Sequence, residues 1–177
     1  MKRTARMNHL IEVDELRTLG RPIGKHVSED KLLAYITEVE QMSIKPSLGE
    51  ALFRSLLDEG TDNEDYRILL NGGSYEDECG NVSSFMGLKV AISYFVYAQN
   101  VMTGDFESTR YGMVIKDGDY STRISSKERS DCYNNTLEVA NYYLAECVKY
   151  CKAKKLIKSK TNPSVVSTGG MTIRKIG

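Results

Sequence analysis

Residues 126–155 run for thirty positions without a proline or a glycine, and Leu137, Val139, Ala140, Tyr143, Leu144, Cys147, Val148 and Cys151 recur there on one helical stripe. Thirty helical residues make a rod of roughly 45 Å. That is longer than the core of a domain this size needs, so the rest of the chain has to pack on part of it and leave part over. The chain has 177 residues, and domains commonly hold about 100–200. One domain is therefore expected, over residues 1–160, followed by an extended C-terminal arm over 161–177.

The other elements follow from pattern. In "SEDKLLAYITEVEQM" the residues Leu32, Leu33, Tyr35, Ile36, Val39 and Met42 share a helix face, with Ser28 placed to cap and Glu29 and Asp30 in the first turn. "PSLGEALFRSLLDEG" predicts a second helix, opened by a Ser47–Glu50 capping box after a short link through Pro46, and stopped by Gly60. "DNEDYRILLNGG" predicts a third, started by Asp62 or Asn63 and ended by Gly72. Residues 85–102 are apolar on most sides, as expected of a helix central to the core. In "STRYGMVIKDGDYSTRIS", β-branched and aromatic residues surround Asp117-Gly118, a hairpin signal. The fold class is mainly α: a helical bundle of about five helices with a small β-hairpin and an extended C-terminal arm.

The double glycine at Gly72-Gly73 raises the question of a phosphate-binding loop. Such a loop needs a preceding strand and a following Gly-Lys-Ser/Thr. Here a helix precedes, Ser74-Tyr75-Glu76 follows, and Glu76, Asp77 and Glu78 would repel an anion. The glycines instead read as positive-φ positions where a helix ends and the chain reverses, with a small turn at Cys79-Gly80-Asn81.

Charged residues make up 27% and apolar residues 41% of the chain, which excludes a disordered or membrane-spanning class. Twenty-four basic residues balance twenty-four acidic ones, so no global field draws the chain to nucleic acid. The basic residues nonetheless cluster before the arm, at Lys149, Lys152, Lys154, Lys155, Lys158 and Lys160. They read first as helix C-terminal and solvated charges, and second as a face for a polyanion. No secretory signal opens the sequence, so reduced thiols in a cytoplasm are expected for Cys79, Cys132, Cys147 and Cys151, and the sequons at Asn81 and Asn134 carry no weight.

Chemistry has little to build on. The two histidines, His9 and His26, lie near no cysteine or carboxylate pair at ligand spacing. Cys147 and Cys151 read as small hydrophobes on a buried stripe, and as soft-metal ligands only if other ligands join them. Glu76, Asp77 and Glu78 lack the pattern of a calcium loop. No cofactor, metal or catalytic residue is expected, and the chain reads as an assembly component rather than an enzyme. Eleven tyrosines, with no tryptophan, suit core edges and subunit interfaces.

The phrases "KLLAYITEVEQMSIKPSLGEALFRSLL", "YRILLNGGSYED", "FMGLKVAISYFVYAQNVM" and "STRYGMVIKDGDYS", followed by "NNTLEVANYYLAECVKY", resemble phage head-tail connector proteins of the adaptor or head-completion type, found in tailed phages and in prophages of gut anaerobes. The resemblance is one of pattern and order and includes no catalytic motif. It implies a structural virion protein, assembled in the host bacterial cytoplasm, that forms a homo-oligomeric ring, commonly of twelve copies. The ring would sit beneath the portal protein, receive a tail or stopper protein and let genomic DNA pass non-specifically, with no membrane involved. Candidate residues facing DNA or a partner are Lys154, Lys155, Lys158, Val165, Val166 and Ile173, the last three on an arm expected to order against a neighbour. The alternative is a bacterial helical protein-interaction or regulatory domain unrelated to virions.

Overall fold

The computed structural model describes residues 9–60, 62–77, 79–103, 106–109, 112–115 and 125–157. Its helices are α1 (Val13–Thr18), α2 (Glu29–Val39), α3 (Lys45–Leu48), α4 (Glu50–Glu59), α5 (Glu64–Asn71), α6 (Leu88–Thr103) and α7 (Ser126–Ala153). A π turn, Glu40–Ile44, joins α2 to α3 into one rod. Two antiparallel hairpins complete the fold: β1 (Gly73–Glu76) with β2 (Val82–Phe85), and β3 (Phe106–Thr109) with β4 (Gly112–Ile115). Counting the α2–α3 rod as one, five main helices and the short α1 among the described residues make a mainly α bundle.

The central position of α6 follows from its composition. Leu88, Val90, Ala91, Ile92, Phe95, Val96 and Ala98 are all buried, so it needs neighbours around most of its circumference. It has them: α7 lies along it, and α1, α2 and α5 pack on its other sides. Helix α7 turns Thr136, Ala140, Leu144, Cys147, Tyr150 and Cys151 inward, a spacing of three and four that keeps one face on the core. Its start is fixed by a capping box in which the Glu128 N–H donates to Ser125 Oγ at 3.2 Å and the Ser125 N–H to Glu128 Oε2 at 2.8 Å. None of residues 126–135 is buried. Arg129, Cys132 and Tyr133 are half-buried there, and the rest of that first third of the helix is exposed.

The second helix departs from expectation. The chain stays helical through Pro46, and no capping box forms at Ser47, whose hydroxyl donates to the Ser43 carbonyl at 2.8 Å. Proline lacks the N–H that an α turn would bond four residues back, and its ring crowds that carbonyl. The wider π turn precedes it, with the Lys45 N–H bonded five residues back to Glu40 O. The break comes at Gly49, whose φ of 87° and ψ of 153° suit glycine alone. At α2, Ser28 occupies the cap position but its side chain makes no capping hydrogen bond.

The Gly72–Met86 stretch is a hairpin that feeds the buried helix. Asn63 caps α5, and Gly72 ends it at φ 86°. Gly73 does not share the positive φ and instead opens β1. Phe85 closes β2, Met86 is exposed, and α6 starts at Leu88 rather than at Phe85. Gly87, at φ 91°, lies against Gly72: a Cβ on Gly87 would fall 2.3 Å from Gly72 N, and one on Gly72 would fall 2.6 Å from the Met86 carbonyl carbon. Two glycines are needed where the strands leave and re-enter the helical layer. The second hairpin pairs Phe106 with Ile115 and Thr109 with Gly112, and the expected turn at Asp117-Gly118 lies outside the described residues.

Candidate functional site

Of the six candidate residues facing DNA or a partner, the structure describes Lys154 and Lys155; Lys158, Val165, Val166 and Ile173 lie outside the described residues. The two lysines terminate α7. The Leu156 N–H bonds to Cys151 O at 2.8 Å and the Lys155 N–H to Lys152 O at 3.0 Å, the paired bonds of a Schellman motif. Lys155 takes the left-handed position at φ 54°, usually a glycine's. Lys154 Nζ sits 3.8 Å from Asp65 Oδ1, and the positive charges of Lys154 and Lys155 complement the negative end of the helix dipole. Lys149 pairs with Glu146 at 2.6 Å. Helix ending and local pairing account for these lysines without a polyanion.

Cys147 and Cys151 are fully buried, and burial pushes both thiols up to about 12 from an ordinary value near 9.0. A nucleophilic or metal-binding cysteine needs the opposite shift. Cys79 is exposed and Cys132 partly so. Asp77 is committed to its own turn: Oδ1 accepts the N–H groups of Cys79 and Asn81, each at 2.8 Å, and the Asn81 backbone N–H is the main cause of its lowered pKa. Among the described residues no group of three or more His, Cys, Asp and Glu is placed to hold a metal.

Two polar residues that the sequence reading did not single out organise the bundle. Glu40 sits in the π turn, 3% exposed, where Oε1 accepts the Leu10 N–H at 2.6 Å and Oε2 lies 3.0 Å from His9 Nδ1. It ties the buried Leu10–Ile11 segment to the α2–α3 rod. A signal existed, because Leu32, Ile36, Glu40 and Ile44 recur every fourth residue and the other three are apolar. Arg21 reaches from the α1–α2 loop to α7, donating to Thr136 Oγ1 at 2.8 Å and Asn135 Oδ1 at 2.7 Å. Its guanidinium lies 5.7 Å from the Tyr97 ring centre and 6.0 Å from that of Tyr94. Tyr94 contacts Tyr143, which contacts Tyr142, and Tyr142 is 64% exposed. Arginine and tyrosine side by side are the residue types that carry energy at interfaces.

A second surface feature lies at the Gly49 break. The kink between α3 and α4 leaves a groove of about 710 Å³ against the end of α7. Its apolar wall comes from Pro46, Leu48, Ala51, Leu52, Val148 and Leu156, and Ile157 stands at the rim. Glu50 and Lys152 supply its charges, with Glu50 also bonded to Lys45 at 2.7 Å.

The family model described as a family of unknown function (DUF6712) matches residues 44–164, from the π turn to beyond the end of α7. No curated protein and no solved structure matches the chain. No helix among the described residues is long and apolar enough to cross a membrane.

Proposed function

The chain belongs to this family of unknown function, DUF6712, and from that premise we propose that it is a structural virion protein. It acts as a head-tail connector, forming a ring of many copies, twelve in the reading favoured by the resemblance, beneath the portal protein and above a tail or stopper protein. Genomic DNA passes through the ring without sequence-specific contacts.

One observation carries the proposal: none of residues 126–135 in the first third of α7 is buried, and only Arg129, Cys132 and Tyr133 are even half-buried. Exposed helix surface of this length gains stability when a neighbour covers it, and a ring supplies one to every copy without leaving an end. Beside it, Arg21 from the α1–α2 loop bonds Asn135 and Thr136 and adjoins Tyr94 of α6, which with Tyr142 of α7 adds interface-type side chains. The phrases that carry the resemblance fall on α2 through α7 in order, so the likeness extends across the bundle rather than resting on one element.

The test is the mass of the particle in solution, alone and with the portal protein encoded nearest to it. Mass photometry should find a high multiple of the 19.9 kDa protomer on the portal. Asn134→Arg combined with Asn141→Arg, two exposed positions seven residues apart on α7, should leave the thermal transition unchanged and abolish that particle. A protein that stays monomeric or dimeric and ignores the portal would instead support the reading as a bacterial helical interaction or regulatory domain.

A further inference from the structure

We infer that the free protein self-associates as a two-fold dimer, in which the outward face of α7 packs antiparallel on the same face of a second copy. The inference concerns the free chain and does not rest on the ring.

The face is a continuous stripe. Glu128, Asp131, Asn135 and Glu138 in the first half of α7, and Tyr142, Ala145, Lys149 and Lys152 in the second, follow one another at alternating intervals of three and four residues, and all of them are exposed. That interval keeps a seam turned towards a partner helix along the length of both. The stripe also points away from the core. Glu138, Tyr142, Ala145 and Lys149 each stand two positions before a buried residue, Ala140, Leu144, Cys147 and Cys151 in turn, and two positions are about 200° round a helix. A second copy can therefore approach with the rest of each bundle on the far side.

Charge selects the surface that fits. The first half of the stripe carries three acids and no base, and the second carries two lysines and no acid. A parallel pairing would set like on like. An antiparallel pairing centred at the level of Ala140 sets Asp131 beside Lys149 of the second copy and Glu128 beside Lys152, and symmetry repeats both pairs. Tyr142, 64% exposed, falls beside Glu138 next to the two-fold axis, so the two tyrosines meet at the centre, where an aromatic side chain contributes most to an interface. Lys149 already meets Glu146 of its own chain at 2.6 Å, but its side chain stays 65% exposed and can reach a second carboxylate. The helix dipole accounts for Glu128 in the first turn and Lys152 in the last. It does not account for Asp131 and Glu138 farther in, or for an exposed tyrosine between the two halves.

Size sets the strength. The 28 residues of α7 make a face roughly 42 Å long and about 10 Å across, so two copies bury at most roughly 800 Å² together, less than a stable complex usually does. Association is therefore weak and governed by salt. Glu128, Asp131 and Asn135 belong to the end of α7 that a ring neighbour is proposed to cover, so the dimer has to part before a ring forms.

Sedimentation equilibrium on the natural chain at about 100 μM should show a monomer–dimer equilibrium, with a dissociation constant that rises at least about tenfold between roughly 50 and roughly 500 mM salt. Asp131→Lys and Lys149→Asp should each weaken the dimer by about tenfold, since each sets like charges face to face twice. Combined in one chain they should restore it, because the antiparallel partner then carries the exchanged charge, whereas a parallel pair would gain nothing. Thermal melting by circular dichroism checks that each variant still folds. Carbodiimide coupling reads the natural chain without any substitution: it should join Asp131 to Lys149 in covalent dimers. These residues stand eighteen positions apart, roughly 27 Å along one helix, so only a second copy brings them together. A natural chain that stays monomeric at low salt overturns the inference and leaves the ring to be decided on the portal. A dimer that ignores either single substitution, is not restored by the pair, or gives no Asp131–Lys149 product overturns it as well.

Discussion

The ring of Tyr150 stacks on that of Phe85, with centres 4.9 Å apart and planes 26° from parallel, and Tyr75 stands edge-on to both. The Tyr150 hydroxyl donates to the Asp65 carbonyl at 3.1 Å and lies 3.2 Å from Asp65 Oδ1. The end of α7, both strands of the first hairpin and the start of α5 therefore meet at one side chain. The hairpin register places Tyr75 opposite Ser83, so Tyr75 and Phe85 share a face.

Tyr150→Ala should cost about 3–5 kcal/mol, because it removes the stack and leaves a cavity. Tyr150→Phe keeps the ring and loses only the hydroxyl's bonds, about 0.5–1.5 kcal/mol. Urea unfolding monitored by circular dichroism should show midpoints in that order at constant slope. A Tyr150→Ala midpoint equal to the natural protein's would place this corner outside the cooperative core.

Ile92 lies in the middle of α6 and is fully buried. Ile92→Ala should destabilise by about 2–5 kcal/mol and lower the melting temperature by several degrees. An unchanged transition would mean that α6 is not the helix around which the others pack.

Gly87 and Gly49 both have φ near +90°, so an alanine at either carries about 1–2 kcal/mol of backbone strain. Only at Gly87 does the added methyl also meet backbone, that of Gly72 at 2.3 Å, while at Gly49 it meets nothing within 4 Å among the described residues. Gly87→Ala should therefore be clearly the worse of the two in thermal unfolding. Equal losses would mean that the glycines' close approach is unimportant.

These positions also show what the sequence could disclose. Helices α5, α6 and α7 were legible because their patterns are long, or because Asn63 and Gly72 punctuate them. The β1–β2 hairpin was not, since its strands are four residues each and a five-residue turn separates them, without the short glycine turn that marks most hairpins. Pro46 suggested a boundary that the π turn removes, and Gly49, the true break, looked like an ordinary residue within a helix. Helix α7 stops at Lys155 without a glycine, so its lysines drew attention as a charge cluster rather than as a helix end. The groove was illegible because it joins residues about a hundred positions apart, and nothing local in either segment announces the other.

The cysteines should divide by burial. A thiol reagent at pH 8 should label Cys79 quickly and Cys132 more slowly, and reach Cys147 and Cys151 only in denaturant. Because both buried thiols are raised from 9.0 to about 12, the folded chain keeps protons that the unfolded chain releases. Their contribution to stability is therefore intact below pH 9 and lost progressively as the pH rises towards 12. Replacing both by alanine should flatten the alkaline decline, and an unchanged pH profile would assign that decline to other groups.

The basic cluster can be tested without disturbing the helix end. Replacing Lys154, Lys155 and Lys158 by glutamate would mix two effects, because Lys154 faces Asp65 and Lys155 holds a left-handed position. Lys155→Gly removes a charge and relieves strain of about 1 kcal/mol, so it should raise the melting temperature. Combined with Lys154→Gln and Lys158→Gln, it leaves α7 ended and three charges gone. If these lysines face DNA or an acidic portal rim, the triple variant should bind the portal complex more weakly at low salt and match the natural protein at high salt, where screening has already removed the contact. If they only end the helix, binding should be the same at every ionic strength, and the stability gain from Lys155→Gly should be the sole effect.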